Sequence, residues 1–139
     1  MILCYLLDTN IVSEPVSKKP NPKIVKKMRL LGGQCAIGAP IWHELKFGCD
    51  RLPKGKRRTA VESYLTEVVR VSLPTLPYDH VAATRHALER VKLEGAGAPG
   101  PFVDGQIAAI ALVNNLILVT RNTRDFERYE DLIVEDWSI

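Results

Sequence analysis

The chain has 139 residues, of which 46% are hydrophobic and 25% charged. This length predicts a single domain, residues 1–139, that buries roughly two-thirds of its unfolded surface, and the composition excludes a disordered or fibrous protein. No apolar run reaches about 18 residues, so we expect no membrane span. Three widely spaced cysteines without a CxxC pair indicate neither a disulfide framework nor a zinc site, which favours a protein of the reducing cytoplasm.

The formal net charge of +3 is divided unevenly along the chain. Residues 1–58 contain twelve Lys or Arg against four Asp or Glu, whereas residues 59–139 contain seven against twelve. A basic half on a small domain suggests a charged partner, with nucleic acid among the candidates. The division along the chain does not say where either charge lies on the folded surface.

Apolar runs and helix signals alternate along the first half of the chain. The run Ile2–Leu7 is apolar at every position, which predicts a central parallel strand buried on both faces. Asn21 before Pro22 predicts the start of a basic helix, which Gly32 ends. In chain order we predict a strand at 2–7, a helix at 22–31, a strand at 35–38, a helix at 40–48, a solvated basic loop at 51–58, a helix at 59–69 and a strand at 71–73.

The second half continues the same alternation. Asp79 is a suitable cap for a helix whose predicted apolar residues are Val81, Ala82, Leu88 and Val91. A loop rich in glycine and proline follows at 95–101, then a helix at 102–114, a buried strand at 116–120, a turn at 121–125 and a last strand at 132–134. The pattern predicts an α/β sandwich around a mainly parallel sheet, in which sites form at the carboxyl ends of the strands.

Four acidic residues lie at or near the predicted carboxyl ends of strands, where functional sites of such sheets form. Asp8 directly follows the first strand, and Glu44 lies one turn into the helix after the second strand. Asp104 begins the helix at 102–114, and Asp125 lies in the turn after the strand at 116–120. Each also has a plain structural interpretation, as a turn residue, an exposed helical residue, a helix N-terminal charge or a turn cap. Spacing alone leaves both interpretations open.

If the four carboxylates do meet in one cleft, each raises the pKa of the others, and a divalent cation removes that cost. Mg²⁺ prefers carboxylate oxygen and is held by one or two carboxylates together with waters and a substrate phosphate. An acidic site without histidine or cysteine therefore favours Mg²⁺, or Mn²⁺, over zinc. Such an ion lowers the pKa of a bound water and stabilises the leaving oxygen in phosphodiester hydrolysis.

Four motifs, in order and at matching spacing over essentially the whole chain, resemble the PIN-domain nucleases, and in particular the VapC-type toxins of bacterial toxin–antitoxin pairs. The opening I-L-C-Y-L-L-D-T-N-I-V-S at 2–13, followed by Glu14 and Pro15, is similar to the start of that family. The other three motifs are I-W-H-E-L-K-F-G at 41–48, F-V-D-G-Q-I-A-A at 102–109 and L-V-T-R-N-T-R-D-F at 118–126.

The resemblance implies a three-layer α/β/α PIN-like fold with a central, mainly parallel sheet. The family's metal-binding acids fall on Asp8, Glu44 and Asp104. Members of the family differ at the fourth position, so the catalytic set is completed here by Asp125, with Asn122 as the alternative. The resemblance also implies supporting polar roles for Asn10, Thr120 and Asn122.

The function that the resemblance implies is a Mg²⁺-dependent endoribonuclease, with Mn²⁺ as an alternative ion, that cleaves structured RNA such as tRNA. It also implies the toxin half of a pair, neutralised by a cognate VapB-like antitoxin whose C-terminal segment wraps a groove of the toxin. Such toxins are usually homodimers and assemble with the antitoxin into a larger complex on operator DNA. The implied location is the cytoplasm, with no membrane partner.

Basic residues cluster at 51–58, and we predict RNA-phosphate contacts from Lys54, Lys56, Arg57 and Arg58. An acidic site repels RNA, so its rim must supply positive charge. The alternative is a solvated loop that keeps the protein soluble.

Two other functions fit parts of the pattern. An aspartyl-nucleophile phosphatase would also place an Asp after the first strand, but Asp8-Thr9-Asn10 lacks the second Asp that such enzymes use as general acid. A non-catalytic PIN module would bind RNA or protein without cleavage, and the presence of all four acids argues against it.

Overall fold

A computed structural model describes residues 2–139 and contains one five-stranded, all-parallel sheet with strand order β3-β2-β1-β4-β5. Helices complete a three-layer α/β fold, so the predicted fold class is confirmed. The strands are β1 (Tyr5–Leu7), β2 (Cys35–Gly38), β3 (Thr75–Leu76), β4 (Ile117–Val119) and β5 (Val134–Glu135).

Strand β1 lies at the centre of the sheet, as its unbroken apolar sequence predicts. Leu6 pairs with Ala36 on one side and with Leu118 on the other. The ladder begins before the strand proper, because Cys4 donates its backbone N–H to Gln34 at 2.8 Å. Side chains on both faces of β1 are removed from solvent, as in a parallel sheet covered by helices on either side.

Within residues 2–139, seven α-helical segments accompany the strands. Asn21 caps the second by accepting hydrogen bonds from the N–H groups of Lys23 and Ile24, and Asp79 caps the sixth through the N–H of Ala82. The segments are α1 (Thr9–Val12), α2 (Pro22–Leu31), α3 (Ala39–Asp50), α4 (Lys56–Tyr64), α5 (Arg70–Ser72), α6 (His80–Gly95) and α7 (Phe102–Val113). Short 3-10 turns lie at Glu14–Val16, Gly32–Gln34 and Thr123–Phe126, and a π-helical turn at Leu65–Val69.

Two predictions around residues 51–73 are wrong. The basic segment at 51–58 is not wholly a loop, because α4 begins at Lys56 and takes in three of its basic residues. The predicted strand at 71–73 is mostly helical, since the π-helical turn carries the helix on into α5. The strand comes later, where Thr75 pairs with Ile37 and the carbonyl of Pro74 accepts the N–H of Ile37 at 2.9 Å.

The predicted apolar face of α6 is also wrong, except at Ala82. Val81, Leu88 and Val91 are exposed, whereas the face that packs along α7 carries Ala82, His86, Glu89 and Leu93. Burial of Glu89 is tolerated because Arg85 and Lys92 form salt bridges with its carboxylate. An apolar stripe of three large side chains therefore remains on the surface of α6.

The last strand lies at Val134–Glu135 rather than at 132–134. Two of the three cysteines, Cys35 and Cys49, are buried, and all three are free thiols. Within residues 2–139 no helix combines the length and the hydropathy needed to span a membrane.

Candidate active site

Asp8 follows β1 and is held by two hydrogen bonds at the carboxyl end of the sheet. One carboxylate oxygen accepts the N–H of Thr9 at 2.8 Å and so caps α1, while the other accepts the hydroxyl of Thr120 at 2.8 Å. The residue is only 9% exposed. Burial raises the pKa of Asp8 above its ordinary value, the two hydrogen bonds oppose that rise, and the nearby carboxylates of Glu44 and Asp125 add to it.

Glu44 lies on the second turn of α3, whose start is set by the end of β2 at Gly38. Its carboxylate accepts the hydroxyl of Thr9 at 2.6 Å. Thr9 thus contacts Asp8 through its backbone and Glu44 through its side chain. This one residue places the two acids beside each other, although they lie 36 positions apart in the sequence.

Asp104 lies in the first turn of α7 and is half-buried. Burial, together with the carboxylates of Asp125, Asp8 and Glu44, raises its pKa to about 6, and the guanidinium of Arg128 opposes that rise. No side-chain hydrogen bond to its carboxylate is formed by residues 2–139. Asp104 is thus placed by its helix alone.

The placement of α7 depends on a close approach to α6 at Gly105. A Cβ atom there would lie 2.3 Å from Nε2 of the buried His86, so only glycine fits. The His86 ring is itself fixed by a 2.7 Å hydrogen bond between Nδ1 and the hydroxyl of Tyr78. The residue after Asp104 therefore sets how near α7 comes to α6.

The turn after β4 brings the two candidates for the fourth acidic position to the same end of the sheet. The backbone N–H of Asn122 donates to the hydroxyl of Thr120 at 3.0 Å. Asp125 is exposed, and its carboxylate makes the largest electrostatic contribution to the raised pKa of Asp104. Both residues thus lie at the site, and Asp125 is the neighbouring charge that acts most strongly on Asp104.

Asn10 and Thr120 connect the first and fourth motifs. Thr120 is fully buried and donates its hydroxyl to Asp8. Asn10 donates its side-chain amide to that hydroxyl oxygen at 3.4 Å and accepts the backbone N–H of Arg121 at 3.2 Å. These polar groups hold the turn after β4 against the start of α1.

The acidic cluster fits a hard divalent cation with an open coordination sphere. Its donors are carboxylate oxygens, and burial with three neighbouring carboxylates raises the pKa of Asp104 in spite of the opposing charge of Arg128. Among residues 2–139 no group of three or more His, Cys, Asp or Glu side chains is placed to hold a metal ion on its own. The arrangement suits an ion that retains several waters rather than a structural metal.

The predicted phosphate contacts lie at the start of α4, beside a groove that reaches the acidic cluster. Lys54 is exposed, and Lys56, Arg57 and Arg58 form the first turn of the helix. Arg57 donates a hydrogen bond to the carbonyl of Val16. The groove has a volume of about 290 Å³ and runs between α1, α3 and α4, with Thr9 and Glu44 at one end.

Sequence reasoning missed an ion pair next to the site. Arg121, directly after Thr120, lies 3.2 Å from the carboxylate of Glu14, which is buried at the end of the first motif. Glu14 directly follows the first motif and Arg121 lies in the fourth. Because 107 positions separate them, the sequence does not indicate that they pair.

Comparison with known proteins agrees with this geometry. The sequence model of the PIN-domain family matches residues 5–132. The chain is 36% identical to the tRNA(fMet)-specific endonuclease VapC of Shigella flexneri over 139 residues, which cover 99% of this chain and 100% of that protein. The crystal structure of FitAcB from Neisseria gonorrhoeae has a TM-score of 0.88 at 29% identity, covering 96% of this chain and 97% of that one. DNA-bound VapBC from Salmonella typhimurium has a TM-score of 0.86 at 28% identity, covering 98% and 99%.

The chain therefore belongs to the PIN-domain family. Within it, the protein is a VapC-type ribonuclease, the toxin component of a toxin–antitoxin system. The family prediction and the nuclease prediction drawn from the four motifs are thus confirmed. PIN-domain ribonucleases generally depend on a divalent metal ion, which agrees with the oxygen-only donor set described above.

Proposed function

We propose that the protein is a single-domain endoribonuclease that hydrolyses tRNA with Mg²⁺ as its preferred ion. The observation that carries this proposal is the crowding of Asp8, Glu44 and Asp125 around Asp104, whose pKa is raised to about 6. Such crowding destabilises the fold unless a cation is bound, so a chain that keeps it uses the charge for function. The substrate class is supported by the tRNA(fMet)-specific relative at 36% identity.

The site residues have distinct proposed roles. Asp8 and Asp104 hold the ion directly, and Glu44 completes the acidic pocket. Asp125 holds a water of the ion, since it is exposed and electrostatically coupled to Asp104. When bound, Mg²⁺ supplies a hydroxide-like water and charge stabilisation at the phosphate.

The supporting residues keep the acids in place. Thr120 holds the Asp8 carboxylate in one orientation by donating its hydroxyl. Asn10 and Asn122 fix the turn that carries Asp125 through their contacts with the Thr120 hydroxyl oxygen.

We propose that Lys54, Lys56, Arg57 and Arg58 contact RNA phosphates. Three of these cations lie in the first turn of α4, where the helix macrodipole already places partial positive charge. That arrangement is unfavourable within the protein alone and becomes favourable when an anion binds. It therefore supports phosphate binding over a purely solubilising role.

The partner we propose is a VapB-like antitoxin, together forming a complex on operator DNA, as the DNA-bound VapBC structure of a relative suggests. The groove between α1, α3 and α4 is the surface for the antitoxin segment, because apolar side chains of Leu45, Val61 and Tyr64 line it and Glu44 ends it. A basic side chain at that end would neutralise the acidic cluster.

We also propose a homodimer in the cytoplasm. The exposed apolar stripe of α6, formed by Val81, Leu88 and Val91, is the surface we assign to the second copy. Burying such a stripe between two subunits removes it from water.

The test is cleavage of an initiator tRNA transcript by the purified protein and by the Asp8→Asn and Asp104→Asn variants. We expect wild-type cleavage in Mg²⁺ and none in EDTA, with each variant reduced at least about a hundredfold. Asp50→Asn, which changes an exposed acid paired with Lys46, is the matched control and should keep full activity.

Full activity in both site variants would contradict the assignment. RNA binding without any cleavage in Mg²⁺ or Mn²⁺ would instead favour the second candidate function, a non-catalytic RNA-binding module. In cells, expression should arrest growth, the adjacent small open reading frame should restore it, and Asp8→Asn should be harmless.

A further inference from the structure

An arginine at the carboxyl end of β4 is held in place by a buried carboxylate. One terminal nitrogen of Arg121 lies 3.2 Å from Oε2 of Glu14, whose side chain is only 10% exposed. The other oxygen of Glu14 accepts the backbone N–H of Asn21 at 2.7 Å. With both oxygens engaged and the carboxylate buried, Glu14 fixes the position of the guanidinium.

The backbone of Arg121 is fixed as well, and it adjoins the acidic cluster. Its N–H donates to the side chain of Asn10, and Arg121 directly follows Thr120, whose hydroxyl donates to Asp8. Only Thr120 separates this arginine from the most buried acid of the site. The backbone of Arg121 thus lies at the same edge of the sheet as the carboxylates, and Glu14 holds the guanidinium that extends from it.

The ion pair leaves most of the guanidinium available. The group has five N–H donors and the contact with Glu14 occupies one nitrogen, while 43% of the side chain remains exposed. The exposed donors form a planar fork that matches the oxygens of a phosphate.

We propose that Arg121 binds an RNA phosphate beside the cleaved bond and that Glu14 is its positioning residue. This inference rests on the proposed ribonuclease function. The acidic cluster repels the RNA backbone, so a cation fixed at the turn after β4, one residue beyond the Thr120 that contacts Asp8, offsets that repulsion where the strand must enter. Unlike the flexible cations near α4, Arg121 is held in one geometry before RNA arrives, which lowers the entropy lost on binding.

The experiment measures binding of an initiator tRNA transcript in Mg²⁺ over a series of salt concentrations. All proteins carry Asp104→Asn, which prevents cleavage if the proposed function is correct. Arg121→Gln removes the charge but keeps an N–H donor for Glu14, so the fold is preserved. Arg121→Lys keeps the charge without the fork. Arg29→Gln is the matched control, an exposed arginine on α2 near the amino ends of the strands.

We expect Arg121→Gln to weaken binding about tenfold. It should also lower the slope of log K against log salt by about 0.7 to 0.9, the value for one phosphate contact. Arg121→Lys should retain the slope and most of the affinity, and Arg29→Gln should change neither. If Arg121→Gln matches the Arg29→Gln control in slope and affinity, Arg121 is only a structural partner of Glu14 and the inference is wrong.

Cleavage by the protein without Asp104→Asn separates the two proposals. Cleavage that is absent or independent of Asp104 contradicts the ribonuclease proposal, whatever the binding slopes show. Cleavage that needs Asp104, combined with unchanged slopes in Arg121→Gln, contradicts the role of Arg121 alone.

Discussion

Asp8 and Asp104 face the same site but are held in opposite ways. Asp8 is nearly buried, caps α1 and accepts two hydrogen bonds at 2.8 Å. Asp104 is half-buried and depends on the packing of α7 against α6 for its position. Burial raises the pKa of both, but only for Asp8 do hydrogen bonds oppose the rise.

The two residues therefore differ in how much each contributes to the stability of the fold. The charge of Asp8 is partly compensated by the protein itself, so this residue contributes to the fold as well as to the site. The ionised form of Asp104 is stabilised by Arg128 and destabilised by burial and by three neighbouring acids. Asp104 is therefore the residue that most needs an external cation.

Replacement by alanine should distinguish the two residues most strongly. Asp8→Ala removes the cap of α1 and leaves the Thr120 hydroxyl without its acceptor, so we expect a loss of about 2 kcal/mol in the free energy of unfolding. Asp104→Ala removes only a destabilising charge, so at pH 7 in EDTA it should be at least as stable as the wild type. Urea denaturation of the metal-free proteins measures both values.

Asp8→Asn is the intermediate case for this pair, because its amide oxygen still accepts the N–H of Thr9 while its NH2 group cannot accept the Thr120 hydroxyl, so it should lose less stability than Asp8→Ala. Equal losses for Asp8→Ala and Asp104→Ala would mean that the hydrogen bonds of Asp8 do not stabilise the fold.

A smaller effect should appear in the pH dependence of stability. In the metal-free protein, Asp104 has a pKa of about 6, against 3.8 ordinarily. Between these values the unfolded chain has released the proton that the folded chain retains, so this group lowers stability as pH rises from about 4 to about 6. Asp104→Asn lacks this loss, so its stability relative to the wild type should increase over that pH range.

Thermal unfolding in EDTA at pH 4.5 and pH 7 measures this prediction. The melting temperature of Asp104→Asn should exceed that of the wild type more at pH 7 than at pH 4.5. A difference that does not depend on pH would show that the fold does not raise the pKa of Asp104.

The sequence could predict that the acidic residues lie close together, because that follows from the parallel order of the strands. A parallel sheet brings the carboxyl ends of its strands to one edge, so Asp8, Glu44 and Asp104 could be expected together from their places after strands or at helix starts. Thr9, which joins Asp8 to Glu44 through a 2.6 Å hydrogen bond, could not be assigned that role. Its contact depends on the exact approach of α3 to α1.

The predictions that were wrong or missing share one physical cause, because tertiary packing decides them. The periodicity of α6 offers two faces, and the one buried against α7 contains His86 and Glu89 rather than Leu88 and Val91. Burial of the polar face is decided by partners such as Arg85, which local patterns do not identify. The same holds for Glu14 and Arg121, whose pairing appears only in the folded chain.

The central claim is that the carboxylates around Asp104 bind a divalent cation. Calorimetric titration of Mg²⁺ into the metal-free protein at pH 7 tests it most directly, with the Asp104→Asn variant titrated in parallel. We predict saturable binding to the wild type and binding at least about tenfold weaker to the variant. Equal binding to both proteins, or no binding to either, would contradict the claim.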